Sequence, residues 1–244
     1  MAMEWTDDGI ILGGKRHGEN SIILEVLTRQ HGRHLGLVRG GHSARLRSVL
    51  QAGNGAVVTW RARLDEHLGQ FNVEATHLRA GHLMNDSASL YGLLHLAGLV
   101  RLLPERDPHE RLFEAMQIVL DHLDAPRVAA SLMVRFELAI LAELGFGLDL
   151  TVCAVTGATQ ELVFVSPKSG RAVSARAGAE YVDRLLPLPA FARDGFLGDS
   201  ITTTQLEQGF ALTGHFLVRH VYEPRGMATP NERAALLAAV LKSR

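Results

Sequence analysis

Residues 29–63 carry seven arginines (Arg29, Arg33, Arg39, Arg45, Arg47, Arg61 and Arg63) and three histidines (His31, His34 and His42) without a single Asp or Glu, in a chain of 244 residues whose net charge is −1. Neighbouring guanidinium groups repel one another unless something negative sits between them, so the segment points to a polyanionic partner. Arginine also brings a planar donor fork suited to phosphate oxygens and able to stack on bases. Charge alone is equally compatible with a solvated basic face. Lys15 and Arg16 lie just upstream. Trp60, between Thr59 and Arg61, and Phe71 offer ring faces to unstacked bases, a contact worth ~1–3 kcal/mol per base. Strand aromatics usually face inward, so Trp60 also fits a barrel core.

Other chemistries find less support. Gly9-Ile10-Ile11-Leu12-Gly13-Gly14-Lys15 nearly spells a phosphate loop. Arg16 stands where a magnesium-binding hydroxyl is required, and Gly18 interrupts the helix that should follow. His31 and His34 are two ligands at most, which does not close a zinc site. His215 and His220 fit packing on a late helix better than ligation. There is no Gly-x-Ser-x-Gly elbow, no His-Glu-x-x-His and no framed carboxylate pair. No catalytic residue, metal or cofactor is expected, and the chain is not expected to be an enzyme.

The elements that must hold these residues change character along the chain. Short apolar, β-branched runs at Gly9–Gly14, Ser21–Leu27, Arg33–Arg39, Ala56–Arg63 and Gln70–Ala80 alternate with glycine-containing turns. Five strands in so short a span predict a small antiparallel barrel, of OB type or SH3-like. Arg45 and Arg47 fall in the loop between Gly41 and Gly53. Beyond Asn85 the period becomes helical: Ser87–Leu103, a helix opening at Asp107-Pro108, Pro126–Leu144, and two late helices near 204–220 and 230–242. Caps are expected at Thr204 with Glu207 and at Thr229-Pro230-Asn231-Glu232. Val163-Phe164-Val165 beside Ser166–Gly170 predicts a small hairpin. The fold class is therefore α+β, multi-domain, with the barrel packed on helices. Residues 1–80 carry ten basic and eight acidic side chains and residues 81–244 fifteen and eighteen, so the parts stand at +2 and −3. One cysteine, Cys153, excludes an internal disulfide and suits a reducing compartment. The acidic start lacks an apolar leader. The uncharged stretch Ser87–Val100 falls short of the ~20 residues needed to cross a bilayer.

The order Gly9-Ile10-Ile11-Leu12, Gly18-Glu19-Asn20-Ser21, Leu27-Thr28, His31-Gly32-Arg33 and Val38-Arg39-Gly40-Gly41 resembles the start of the RecO family of DNA repair proteins. So do Leu90-Tyr91, Phe136-Glu137-Leu138, Leu144-Gly145-Phe146, Val165 to Val173 and Leu186-Pro187-Leu188-Pro189. The resemblance runs from about residue 4 to the C-terminus. It implies an OB-fold nucleic-acid-binding domain over residues 1–81 and a helical domain over 82–244. It also implies a recombination mediator that binds single- and double-stranded DNA, anneals complementary strands without ATP and assists recombinase loading on protein-coated strands. Expected partners are RecR, RecF in some species, and the acidic C-terminal tail of single-strand binding protein, in a cytoplasmic, nucleoid-associated setting without membrane. Many relatives carry a four-cysteine zinc module; the matching positions here are Cys153, Thr156, Ser174 and Ala177, so residues 149–177 are expected to form a metal-free, zinc-ribbon-like remnant. On this reading Lys15, Arg16, Arg33, Arg39, His42, Arg45, Arg47, Trp60, Arg61 and Arg63 contact DNA. Arg101, Arg106, Arg111 and Arg135 are candidates for a basic rim around an acidic partner peptide. The alternative from another class is an interaction adaptor whose barrel binds an acidic protein surface.

Overall fold

The computed structural model describes residues 3–194 and 201–242. The chain divides into two compact units, Met1–Asp121 and His122–Arg244.

The first unit is built on five strands: β1 (Met3–His17), β2 (Ser21–Thr28), β3 (Gly32–Arg39), β4 (Gly55–Ala62) and β5 (Gln70–His77). They close into a barrel in the order β1-β2-β3-β5-β4. All pairings are antiparallel except β3 with β5, which meet in parallel at Leu37 and Gln70. β1 starts at Met3, earlier than the apolar run at Gly9 suggested. Its first residues alternate, with exposed Glu4, Thr6 and Asp8 interleaved with the more buried Trp5 and Asp7, and that two-residue period is what a half-buried strand needs. A bulge between Ile11 and Gly13 lets this one strand serve two neighbours, β4 with its first half and β2 with its second.

Inside lie Ile11, Leu24, Val26, Val38, Val58, Trp60, Phe71 and Val73, each contributing roughly 1.5–3 kcal/mol through burial. Gly36 permits the closure: a Cβ there would stand 2.5 Å from the Phe71 ring. Between β3 and β4 the expected loop is instead a short helix, α1 (Ala44–Val49), capped by Ser43. Buried Asn54 ties its end down, donating to the carbonyls of Ser48 and Val49 at 2.8 and 3.0 Å. The unit continues through α2 (Ala80–Leu83), α3 (Ser87–Val100) and α4 (Glu110–Asp121). α3 is capped by Asp86, whose carboxylate accepts from the Ser89 amide at 2.8 Å.

The second unit opens with α5 (Pro126–Glu143), with proline in its first turn. A three-stranded sheet follows in the order β7-β6-β8, from β6 (Leu162–Val165), β7 (Ala172–Ser174) and β8 (Leu186–Pro187). Short helices α6 (Ala175–Gly178) and α7 (Ala190–Asp194) flank it, and α8 (Thr203–Leu217) and α9 (Asn231–Lys242) complete the unit. The cap of α8 is Thr202 paired with Gln205, two residues before the expected Thr204 and Glu207. Glu137 of α5 is fully buried and meets Arg233 of α9 at 2.6 Å, while Thr213 of α8 donates to the same carboxylate. No helix among the described residues is long and apolar enough to cross a membrane.

Candidate nucleic-acid interface

β1 and β2 are joined by the tight turn after His17. There the hydrogen-bonded row His17–Ser21–Arg39 crosses β1, β2 and β3, and the row Lys15–Ile23–Leu37 lies two residues further in. Two strand spacings put the backbones of His17 and Arg39 about 10 Å apart. Lys15, Arg16, His17 and Arg39 are all exposed.

α1 brings two more cations to this end. Gly41 lies against Ile22 of β2, with room for no more than a close Cβ contact at 3.0 Å. Leu46 and Val49 pack on the barrel core together with Ile22. Successive helical residues are about 100° apart, so turning Leu46 inward sends Arg45 and Arg47 out on either side of it, and both are exposed. Lys15, Arg16, Arg39, Arg45 and Arg47 have no carboxylate within 4.0 Å among the described residues. Glu25, the nearest acid on the strands, is already held by Arg33 at 3.0 Å and Arg101 at 2.7 Å. The turn contributes only Glu19. Five uncompensated cations at one barrel end make a surface that a phosphate backbone satisfies and a neutral ligand does not.

Several expected contacts lie elsewhere. Trp60 is fully buried in the core and donates its indole N–H to the Leu68 carbonyl at 3.0 Å. It offers no face to a base. Phe71 is 5% exposed and equally unsuited. Arg33 is bound to Glu25 and to Glu105 at 3.3 Å and is largely buried, so it braces β3 and is not available to a strand. His42 turns inward, leaving its Nε2 buried without a hydrogen-bond partner. Arg61 is exposed but pairs with Glu4 at 2.8 Å. It stands on the β1–β4–β5 face, where Asp8 and Glu74 occupy a nearby row. Arg63 is exposed beyond the end of β4, followed by Asp65 and Glu66. His17 belongs to the cationic end and was missed, because it hides in a turn signal rather than a basic run.

The arginines expected to bind a partner peptide are each placed within their own unit. Arg101 spans Glu25 and the Leu12 carbonyl. Arg106, in left-handed backbone with φ 61°, donates to the carbonyls of Asp65 and His67 and lies over Trp60. Arg111 is exposed on α4, and Arg135 is exposed on α5 in the other unit. The second unit has its own cavity of about 540 Å³, walled by Val163, Phe164, Val182 and Leu188 with both Glu161 and Arg193 among its lining.

The zinc-module positions contain one sulfur. Cys153 is buried and accepts from the Ser174 amide at 3.3 Å. Burial pushes its pKa up, but hydrogen bonds from Ser174 and Thr156 outweigh that and bring it down to about 6. One sulfur beside Thr156, Ser174 and Ala177 is not a structural zinc donor set.

A five-stranded barrel with a cationic end, followed by a helical unit with a small sheet, defines an α+β protein. The chain belongs to the RecO family of DNA repair proteins. Residues 1–79 match the model described as Recombination protein O N terminal, and residues 84–227 the one described as Recombination protein O C terminal. It is 57% identical to the DNA repair protein RecO of Chelativorans sp. (strain BNC1), over 99% of this chain and 97% of that one. Similarity to the RecO proteins of Rhodopseudomonas palustris (strain TIE-1) and Beijerinckia indica is alike, at 56% and 57% over 99% of this chain.

Proposed function

We propose that this protein is a recombination mediator that binds single- and double-stranded DNA through the cationic barrel end, anneals complementary strands without ATP and assists recombinase loading. The observation that carries the reading is the group Lys15, Arg16, Arg39, Arg45 and Arg47, exposed together and lacking carboxylate partners among the described residues. Annealing requires two polyanions to approach, and a cationic surface that screens both removes the main barrier. Contact with phosphate alone leaves the bases free to pair.

In this reading residues 1–81 form an OB-type barrel and residues 82–244 the helical domain, with 149–177 a metal-free zinc-ribbon remnant. The Greek-key strand order and the cations flanking the β1–β2 turn support the OB assignment, since that turn and the β4–β5 loop, which begins at Arg63, are where such barrels hold oligonucleotides. RecR, the acidic tail of single-strand binding protein and, in some settings, RecF are the partners, and the nucleoid is the place of action. The test is annealing of complementary oligonucleotides at matched salt. Acceleration by the intact protein, lost when Lys15, Arg39, Arg45 and Arg47 become Ala, is the expected result. An adaptor that binds an acidic protein surface leaves the annealing rate unchanged.

A further inference from the structure

The indole and phenyl rings among the described residues of the barrel are enclosed. Trp60 and Phe71 are core residues, and Trp5 is sandwiched between His31 at 4.1 Å and Trp60 at 5.7 Å. A ring with exposed area lies instead in the second unit. α5 ends at Glu143; Gly145 follows in left-handed backbone with φ 86°, and the next residue, Phe146, is 40% exposed. Its amide bonds back to the Leu141 carbonyl at 2.7 Å, which fixes where the side chain leaves the helix. Phe146 stacks on His220 at 5.0 Å and 14°, and His220 stacks on buried Phe216 at 6.0 Å and 7°. Three near-parallel rings thus run from the core to the surface. His220 belongs to a π-helical turn, Val218–Tyr222, that extends α8, and such turns occur frequently at functional sites.

Basic residues gather at the inner end of this stack, where His215 stands edge-on to Phe216 at 5.0 Å. The Pro167 carbonyl accepts from Arg219 at 3.0 Å and lies 3.1 Å from His215 Nε2. The next residue, Lys168, is exposed, as is Arg219, and neither meets a carboxylate among the described residues. An exposed ring that ends a parallel stack, with Lys168 and Arg219 on the segments that adjoin the stack's inner rings, matches a short stretch of single-stranded DNA: an unstacked base on the ring and neighbouring phosphates on the cations.

We infer that Phe146, with Lys168 and Arg219, forms a second DNA contact that takes an unpaired nucleobase of a single strand. The inference rests on the DNA-binding reading above and adds to it a site that distinguishes single from paired strands. A duplex offers no free base face in its interior, so the ring serves only unpaired DNA.

The experiment measures fluorescence anisotropy of a labelled single strand, of the same strand carrying abasic sites throughout, and of a duplex. The full-length protein is compared with Phe146→Ala, Phe146→Trp and Lys168→Ala/Arg219→Ala. Phe146→Ala is expected to weaken the ordinary strand about five-fold or more, leave abasic strand and duplex unchanged, and be rescued by Phe146→Trp. Lys168→Ala/Arg219→Ala is expected to lower the single-strand salt slope by about 1.4. Equal loss on ordinary and abasic strands, or no loss on either, overturns the inference. So does loss of an acidic peptide's binding with DNA binding intact. If the wild type binds no strand, the DNA-binding reading itself falls; if it binds, and depends on Arg45 and Arg47 but not on Phe146, only the present inference falls.

Discussion

Among the ring residues of the barrel, His34 carries a measurable signature. It is 2% exposed and stands edge-on to Trp5, Trp60 and Phe71. Burial pushes its pKa down, since desolvation disfavours the imidazolium. Below about pH 6.5 the unfolded chain takes up a proton that the folded ring resists, so stability falls as pH drops through that value toward the lowered folded pKa. Above it the ring is neutral in both states and costs nothing. Replacing His34 with Phe, which fills the same aromatic nest, is expected to flatten the dependence of melting temperature on pH between about 7 and 5. An unchanged slope places the titration elsewhere. Burial works in the same direction on sites: it removed Trp60 from the DNA-contact set by the force that made it a good core residue.

At the scale of elements, α5, α8 and α9 are tied by Glu137, Thr213 and Arg233. Removing one member of a buried ion pair strands the other without compensation, typically costing about 3–5 kcal/mol. Arg233→Met is therefore expected to lower the unfolding free energy of the second unit by that order, and its denaturation midpoint with it, while Arg135→Ala, on an exposed site, leaves both near wild type. Equal midpoints for the two variants contradict the tie. Most elements were legible in the sequence because their periods are long enough to register: the barrel strands alternate with glycine turns, and α5 repeats apolar residues every three or four positions. α1 was not legible. It has six residues, glycines close by, and an apolar face of only Leu46 and Val49, which acquires meaning when the barrel core lies beneath it. The first half of β1 was missed for a related reason. Its acidic residues look like loop until β4 supplies a partner for every one of them.

For the whole molecule, a net charge of −1 conceals the device that matters. The basic segment was visible in the chain, but which of its cations remain free was not. Arg33 is neutralised by Glu105, 72 positions away, Arg29 by Glu114, 85 away, and Arg61 by Glu4, 57 away. Only folding brings those acids in, and what survives is the barrel end where Arg39, Arg45 and Arg47 meet no carboxylate among the described residues. The most direct test is the salt dependence of single-strand affinity, followed by anisotropy, for wild type, Arg45→Ala/Arg47→Ala and Arg61→Ala. The expected result is a slope lowered by about 1.4 in the double variant on every base sequence, with Arg61→Ala close to wild type because Glu4 already occupies its guanidinium. A double variant with the wild-type slope, or a loss confined to one base sequence, contradicts the assignment of DNA binding to the cationic barrel end.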